Sequence, residues 1–255
     1  MSAGVVRVLD FHARLGPGPG AAAALLAAMD ESGIDRAAAC AGGMVDLDEL
    51  SRLIVDGGRA DVRADNEGVH RACAGSGGRL LPFFFADPVR DVRLYAAAAN
   101  RFRGLEISPA VHGFRFDDPG VAALVTIAER EHHPVYVVCL GRAGTRTADL
   151  VVLARRFPAV TFVHGHCGYT GLDAGGLVAV AAQRNIVVET SGCFTAVARL
   201  AVARLGAERV VFGTEFPLQA PAVELAKLAA LGLDAGQFAL VAGGNAARLL
   251  GQEPS

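Results

Sequence analysis

Short runs of β-branched and aliphatic residues alternate along the chain with longer segments rich in Ala, Leu and Arg. The apolar runs, at residues 5–11, 36–41, 80–85, 105–107, 135–139, 161–164, 186–189 and 210–212, read as buried strands. Residues 21–32, 67–74, 89–100, 120–132, 147–157, 175–184, 195–205 and 222–231 read as the helices between them, with a last helix at 239–250. Eight strands, each followed by a helix at this spacing, predict a (β/α)8 barrel. A doubly wound sheet is the structural alternative, but no Gly-x-Gly-x-x-Gly follows the first strand. Gly16-Pro17-Gly18-Pro19-Gly20 is a loop by composition. It lacks the strand-to-helix context and the Lys of a phosphate cradle.

Two stretches break the alternation. Residues 43–66 are longer than an ordinary barrel loop and carry their own apolar pattern in Leu47, Leu50, Leu53 and Ile54. A short helix is expected there, lying over the barrel mouth as part of a lid. Residues 109–119, rich in His, Arg and aromatics, should also overhang the mouth. No linker, repeat or low-complexity segment divides the chain, so residues 1–255 are expected to form one domain.

Of the 255 residues, 52% are hydrophobic, enough for a large core, and the net charge is −2. Without a basic block, nucleic-acid binding is not expected. With a strand-like run almost at the start, no signal peptide is expected, and no apolar stretch is long enough to span a bilayer. The five cysteines show no Cys-x-x-Cys spacing and read as reduced thiols of a cytoplasmic protein.

Chemistry in such folds gathers at the carboxyl ends of the strands. The densest polar cluster is Val163-His164-Gly165-His166-Cys167-Gly168, which closes one buried strand. By alternation of faces, strand one presents Asp10, His12 and Arg14 together, strand four Glu106 and Ser108, and strand five Cys139 in line with Val135 and Val137. Strand six offers His164 and His166, strand seven Glu189, and strand eight Glu215 beyond Gly213-Thr214. So many titratable groups at one mouth are hard to justify as packing. His164 lies a layer deeper than His166 and reads as a hydrogen-bonded core residue. His112 and Arg115 on the overhanging loop are candidate substrate contacts, and surface polarity is the plainer reading of both.

The chain resembles the amidohydrolase-related family typified by aminocarboxymuconate semialdehyde decarboxylase. The resemblance is carried in order by Leu9-Asp10-Phe11-His12, Phe85-Ala86-Asp87-Pro88, Gly104-Leu105-Glu106-Ile107-Ser108-Pro109, His166-Cys167-Gly168, Glu189-Thr190-Ser191-Gly192 and Arg209-Val210-Val211-Phe212-Gly213-Thr214. Gly243-Gly244-Asn245 closes the series. It implies a barrel hydrolase or non-oxidative decarboxylase that uses a metal, is commonly dimeric and acts on a small molecule. It also implies metal ligands at His12, at the position of Arg14, at Cys139 on strand five and at Glu215 on strand eight, with His166 as the proton-transfer residue. Arg14, Cys139 and Glu215 all depart from the family's ligand types.

Cys and Glu can bind zinc. Arg14 cannot, because a guanidinium stays protonated and has no lone pair to donate. Its charge would repel a nearby cation by about 4 kcal/mol at an effective dielectric near 20. The expectation is therefore a metal-free enzyme acting on a small carboxylate or carbonyl compound. His166 and Glu215 would transfer protons, His12 would be a second acid or a donor, and Arg14 would bind a substrate carboxylate or a developing oxyanion. Glu106 would pair with Arg14, and Cys139 would be a nucleophile, a substrate contact or a buried inert thiol. One alternative is a zinc-dependent hydrolase or decarboxylase using His12, Cys139, His166 and Glu215. Another is a non-catalytic ligand-binding barrel.

Overall fold

The computed structural model describes residues 6–252. Its strands are β1 (Leu9–Leu15), β2 (Arg36–Ala41), β3 (Leu80–Phe85), β4 (Gly104–Ile107), β5 (Val135–Val137), β6 (Phe162–His164), β7 (Ile186–Glu189) and β8 (Val210–Val211). They form one sheet in sequence order, each parallel to the next, with helices in the connections. Backbone hydrogen bonds join the two ends: Phe11 N to Phe212 O at 2.9 Å, Glu215 N to His12 O at 2.8 Å and Arg14 N to Phe216 O at 2.8 Å. The result is the (β/α)8 barrel that the alternation predicts.

Two apolar layers follow from the alternation of faces. Leu9, Phe11, Ala38, Cys40, Leu81, Phe83, Tyr136, Val163, Val187 and Val211 pack together inside the barrel, with Ala246 and Leu250 below them. The intervening strand residues, such as Ala39, Leu105, Val135, Val137, Ile186 and Val210, pack with helix residues such as Leu25, Met29, Leu124 and Leu150.

Several elements differ from the sequence expectation. The first strand runs Leu9–Leu15 rather than 5–11, because its register pairs Leu9 with Arg36 and Leu15 with Ala41. Val5 lies outside the described residues. The shift places His12 and Arg14 on the strand itself. The predicted last helix is present but starts earlier, running over residues 235–249 without a break and widening to a π turn at Leu240–Gly244. Gly243 lies in that turn because a side chain there would strike the Arg7 carbonyl.

The helix expected within 43–66 is Leu47–Asp56, started by Asp46, whose side chain accepts from Glu49 N at 2.8 Å. Its far end is held by Arg142, which donates to Leu53 O at 3.1 Å and Ile54 O at 2.9 Å. Residues 109–119 do not simply overhang. Pro109–His112 is a short buried helix, and Phe114 and Phe116 are buried as well.

Candidate active site

The site begins with an irregularity in β1. The pairing with β2 slips between Asp10 and Ala13. A bulge of this kind re-aims the side chains that follow it. Phe11 remains in the inner layer while Ala13 and Leu15 pack outward, so His12 and Arg14 turn inward. Asp10 does not share their face as the alternation suggested. Its carboxylate accepts Thr214 N at 2.9 Å, Thr214 Oγ1 at 2.5 Å and His12 N at 2.9 Å, which ties β1 to the segment after β8. Burial lifts its pKa to about 6 against those hydrogen bonds.

Arg14 is the hub. Its Nε donates to Glu215 Oε1 at 2.6 Å and its Nη2 to Glu106 Oε1 at 2.8 Å. Its Nη1 lies 3.4 Å from Ala41 O and 3.5 Å from Cys40 Sγ. His12 bridges the same two acids, with Nε2 3.2 Å from Glu106 Oε2 and Nδ1 against Glu215 Oε2. Cys40 donates to Glu106 Oε2 at 2.7 Å.

The electrostatics follow from this cage. Burial would raise the Glu106 pKa, but the Arg14 and His12 charges outweigh it and hold the acid at about 2. Glu215 is held well below the usual carboxylate range by the same contest between burial and the Arg14 and His12 charges. For His12, burial alone would favour the neutral ring, yet Glu215 and Glu106 keep it protonated well above its ordinary pKa. Burial pushes the Cys40 thiol up to about 11.

His166 stands across the floor. The backbone turns after His164, and His166 takes a left-handed conformation, φ 58°. Glu215 does the same, again at φ 58°. Left-handed non-glycine residues cluster at functional sites because the surroundings must hold them there. Gly165 is required where it stands, since a Cβ would run into the Tyr136 hydroxyl.

His166 Nδ1 lies 3.1 Å from both Ser191 O and Ser191 Oγ. A carbonyl oxygen only accepts, so the contact assigns the proton to Nδ1 and leaves the Nε2 lone pair free. Nε2 is 3.5 Å from the Tyr136 hydroxyl and 3.8 Å from Glu215 Oε2. Beneath it, Glu189 anchors the assembly. Its Oε2 accepts from Tyr136 at 2.8 Å, Ser191 Oγ at 2.9 Å and His166 N at 3.1 Å. Tyr136 also stacks on His12, their centroids 3.9 Å apart.

The Ser191 loop is gripped from behind by a buried ion pair on the helix Pro221–Ala229. Lys227 Nζ donates to Thr190 O at 2.7 Å and Cys193 O at 2.9 Å. Glu224 Oε1 accepts from Gly192 N at 3.1 Å, and its Oε2 lies 2.5 Å from Lys227 Nζ.

Above the floor is a cavity of about 340 Å³. Arg14, His166, Glu215 and Ser108 reach it from below, and Met44, Leu50, Ile54, Phe85, Leu140 and Leu218 form much of its wall.

Sequence reasoning thus brings His12, Arg14, Glu106, His166 and Glu215 to one place. It missed Cys40 and Tyr136. Cys139 borders the cavity but packs with Val135 and Val137 in the layer facing the helices, where burial raises its thiol pKa. The inward face of β5 belongs to Tyr136. His112 is buried against Phe85, ring centroids 4.9 Å apart, and is not part of the cavity wall. Arg115 is spent on Asp117, at 2.8 and 2.9 Å, and on Ala143 O, away from the cavity. His164 faces the helix layer, 3.0 Å from Thr147 Oγ1, with burial lowering its pKa to about 4.

Two donor groups have the reach to hold a divalent ion: His12, Cys40 and Glu106, and His12, His166 and Glu215, each set with ligand atoms within 4.8 Å of one another. Neither contains Cys139. These groups make a divalent ion plausible, in favour of the metal-bound alternative, although Arg14 faces both carboxylates and would have to move for one to bind.

A buried cage of His, Arg and Glu at the carboxyl mouth of a (β/α)8 barrel places the molecule among barrel enzymes of the hydrolase or lyase kind. The family model described as amidohydrolase matches residues 9–252, and the chain belongs to that family. Among curated proteins, none matches. Among solved structures, the chain is similar to 5-carboxyvanillate decarboxylase LigW from Sphingomonas paucimobilis, at 19% identity and TM-score 0.68, over 96% of this chain and 99% of that one. It is similar to 2,6-dihydroxybenzoate decarboxylase from Rhizobium at 16% identity and TM-score 0.69, over 96% and 98%. A 5-carboxyvanillate decarboxylase from Novosphingobium aromaticivorans, solved with bound manganese and 3-methoxy-4-hydroxy-5-nitrobenzoic acid, matches at 15% identity and TM-score 0.71, over 97% of each chain. At these identities the likeness concerns the fold. Among the described residues, no helix is long and apolar enough to cross a membrane.

Proposed function

We propose that this amidohydrolase-family enzyme acts on a small carbonyl or carboxylate compound by acid–base chemistry, with Arg14 in the electrostatic place of a metal. The observation that carries the reading is the inward Arg14 guanidinium bonded at once to Glu106 and Glu215. His166 Nε2 is the proton acceptor and later the donor, since Nδ1 is engaged by Ser191. Glu215 compensates the imidazolium that forms, and His12 and Arg14 keep Glu215 ionised. The helix Leu47–Asp56 serves as a lid in this reading, supported by the part Leu47, Leu50 and Ile54 take in the cavity wall.

A second reading is a metal-dependent hydrolase or decarboxylase. The two donor groups within metal-binding reach favour it, as does the manganese of the Novosphingobium structure. It requires Arg14 to swing away and His12 to lose its proton.

The test is a screen of small esters, amides, lactones and carboxylic acids, followed by variants on whichever compound is turned over. The proposal expects His166→Ala and Arg14→Ala each to lose at least a hundredfold in kcat while remaining folded. Rates equal to the parent in both variants would overturn it.

A further inference from the structure

The floor of the cavity has no cation to spare. Arg14 directs Nε at Glu215 and Nη2 at Glu106, and its Nη1 leans on Ala41 O and Cys40 Sγ. Arg14 and His12 stand against Glu106 and Glu215, so these four groups together carry no net positive charge, whether or not His12 is protonated. Glu215 Oε2 is buried against the His12 ring, so it too is already paired. Among the described residues lining the cavity, Arg14 is the only Lys or Arg, and most of the remaining wall is aliphatic or aromatic.

We infer that the cavity admits an uncharged, ring-sized carbonyl compound, an ester, amide or lactone, and rejects carboxylates. The inference rests on the reading that this cavity is the substrate site. A carboxylate entering it would leave water for an apolar chamber whose guanidinium is already spent, beside an ionised Glu215. A neutral carbonyl group pays a much smaller desolvation penalty and needs one donor. A cavity of about 340 Å³ suits a ligand of one ring, at the small end of ordinary ligand pockets. Decarboxylation needs a carboxylate in the reactant, so this selectivity sets it aside, and hydrolysis is the reaction that an ester, amide or lactone offers. Water oxygen adds to the carbonyl carbon, the acyl C–O or C–N bond breaks, and the proton that water gives to His166 passes to the leaving atom.

The test compares near-isosteric probes, benzamide and phthalide against benzoate, by saturation-transfer NMR and thermal shift at neutral pH. The expected result is binding of the neutral probes at least tenfold tighter than benzoate, abolished in Leu50→Trp, which fills the cavity. Glu215→Gln removes the negative charge that faces Arg14 and should gain affinity for benzoate, its fold checked by circular dichroism. Benzoate binding to the parent as well as benzamide does, or no binding of either neutral probe, overturns the inference. Binding survives in His166→Ala whatever that residue does in turnover. A failure here is therefore distinguishable from a failure of the acid–base assignment, which only the turnover of His166→Ala reads.

Discussion

Arg14 reaches Glu215 across the seam that joins the first and last strands, Nε to Oε1 at 2.6 Å. The contact is made from a strand whose register has slipped by a bulge to a residue whose backbone is left-handed. Two local irregularities thus meet at one ion pair, and the same guanidinium holds Glu106 on β4.

Removing Arg14 should be costly. Arg14→Met strands two buried carboxylates and is expected to destabilise the protein by about 3–5 kcal/mol. Adding Glu106→Gln should recover part of that loss, because one uncompensated charge disappears. Urea unfolding of the two single variants and the double variant measures the coupling. Strict additivity would contradict the cage.

Acid should undo the cage through Glu106. Its pKa is depressed from 4.5 to about 2, so the stability it contributes is present above 4.5 and is lost as pH falls towards 2. The contribution is on the order of 3 kcal/mol. Asp10 works the other way: raised from 3.8 to about 6, it favours folding below 3.8 and loses that contribution as pH rises through about 6. His12, raised well above 6.5, contributes fully below 6.5 and gives that up only in alkali. Unfolding midpoints of Glu106→Gln should therefore fall less steeply than the parent's between pH 4.5 and 2. Parallel curves would show that Glu106 is not the group concerned.

The Lys227–Glu224 pair is expected to act on His166 through Ser191. Lys227→Met releases the carbonyls of Thr190 and Cys193 that flank the loop. The nitrogen-15 spectrum of the His166 ring should then lose the signature of a single Nδ1–H tautomer. A merely structural role would lower stability and leave that spectrum unchanged.

Cys139→Ala should leave turnover within about twofold and cost roughly 1 kcal/mol, as a small core truncation does. Activity lost in Cys139→Ala, with the fold intact, would return that thiol to the chemistry.

Barrel order and most of the floor were legible because each rests on periodicity. β2, β3 and β7 fall where their apolar runs predict. His12, Glu106 and Glu215 lie where strand ends converge. The errors have physical causes. Counting alternate residues put Asp10 beside His12, but a bulge is invisible to such a count. On β5 the three residues 135, 137 and 139 were rightly placed on one face, but that face packs against helices, and an isolated strand with apolar residues on both sides does not say which is inner. Tyr136, a large residue with a polar tip amid that apolar run, was the available signal. Cys40 read as one more small residue in Arg36-Ala37-Ala38-Ala39-Cys40-Ala41, and only the barrel's closure brings it to Glu106.

The central claim is that Arg14 fills a seat that a metal would otherwise take. Elemental analysis of protein purified without chelator, read beside its activity before and after dialysis against a chelator, tests it most directly. The account predicts substoichiometric zinc and manganese and unchanged turnover. One divalent ion per chain, lost together with activity on chelation and absent from Glu215→Ala, would contradict it.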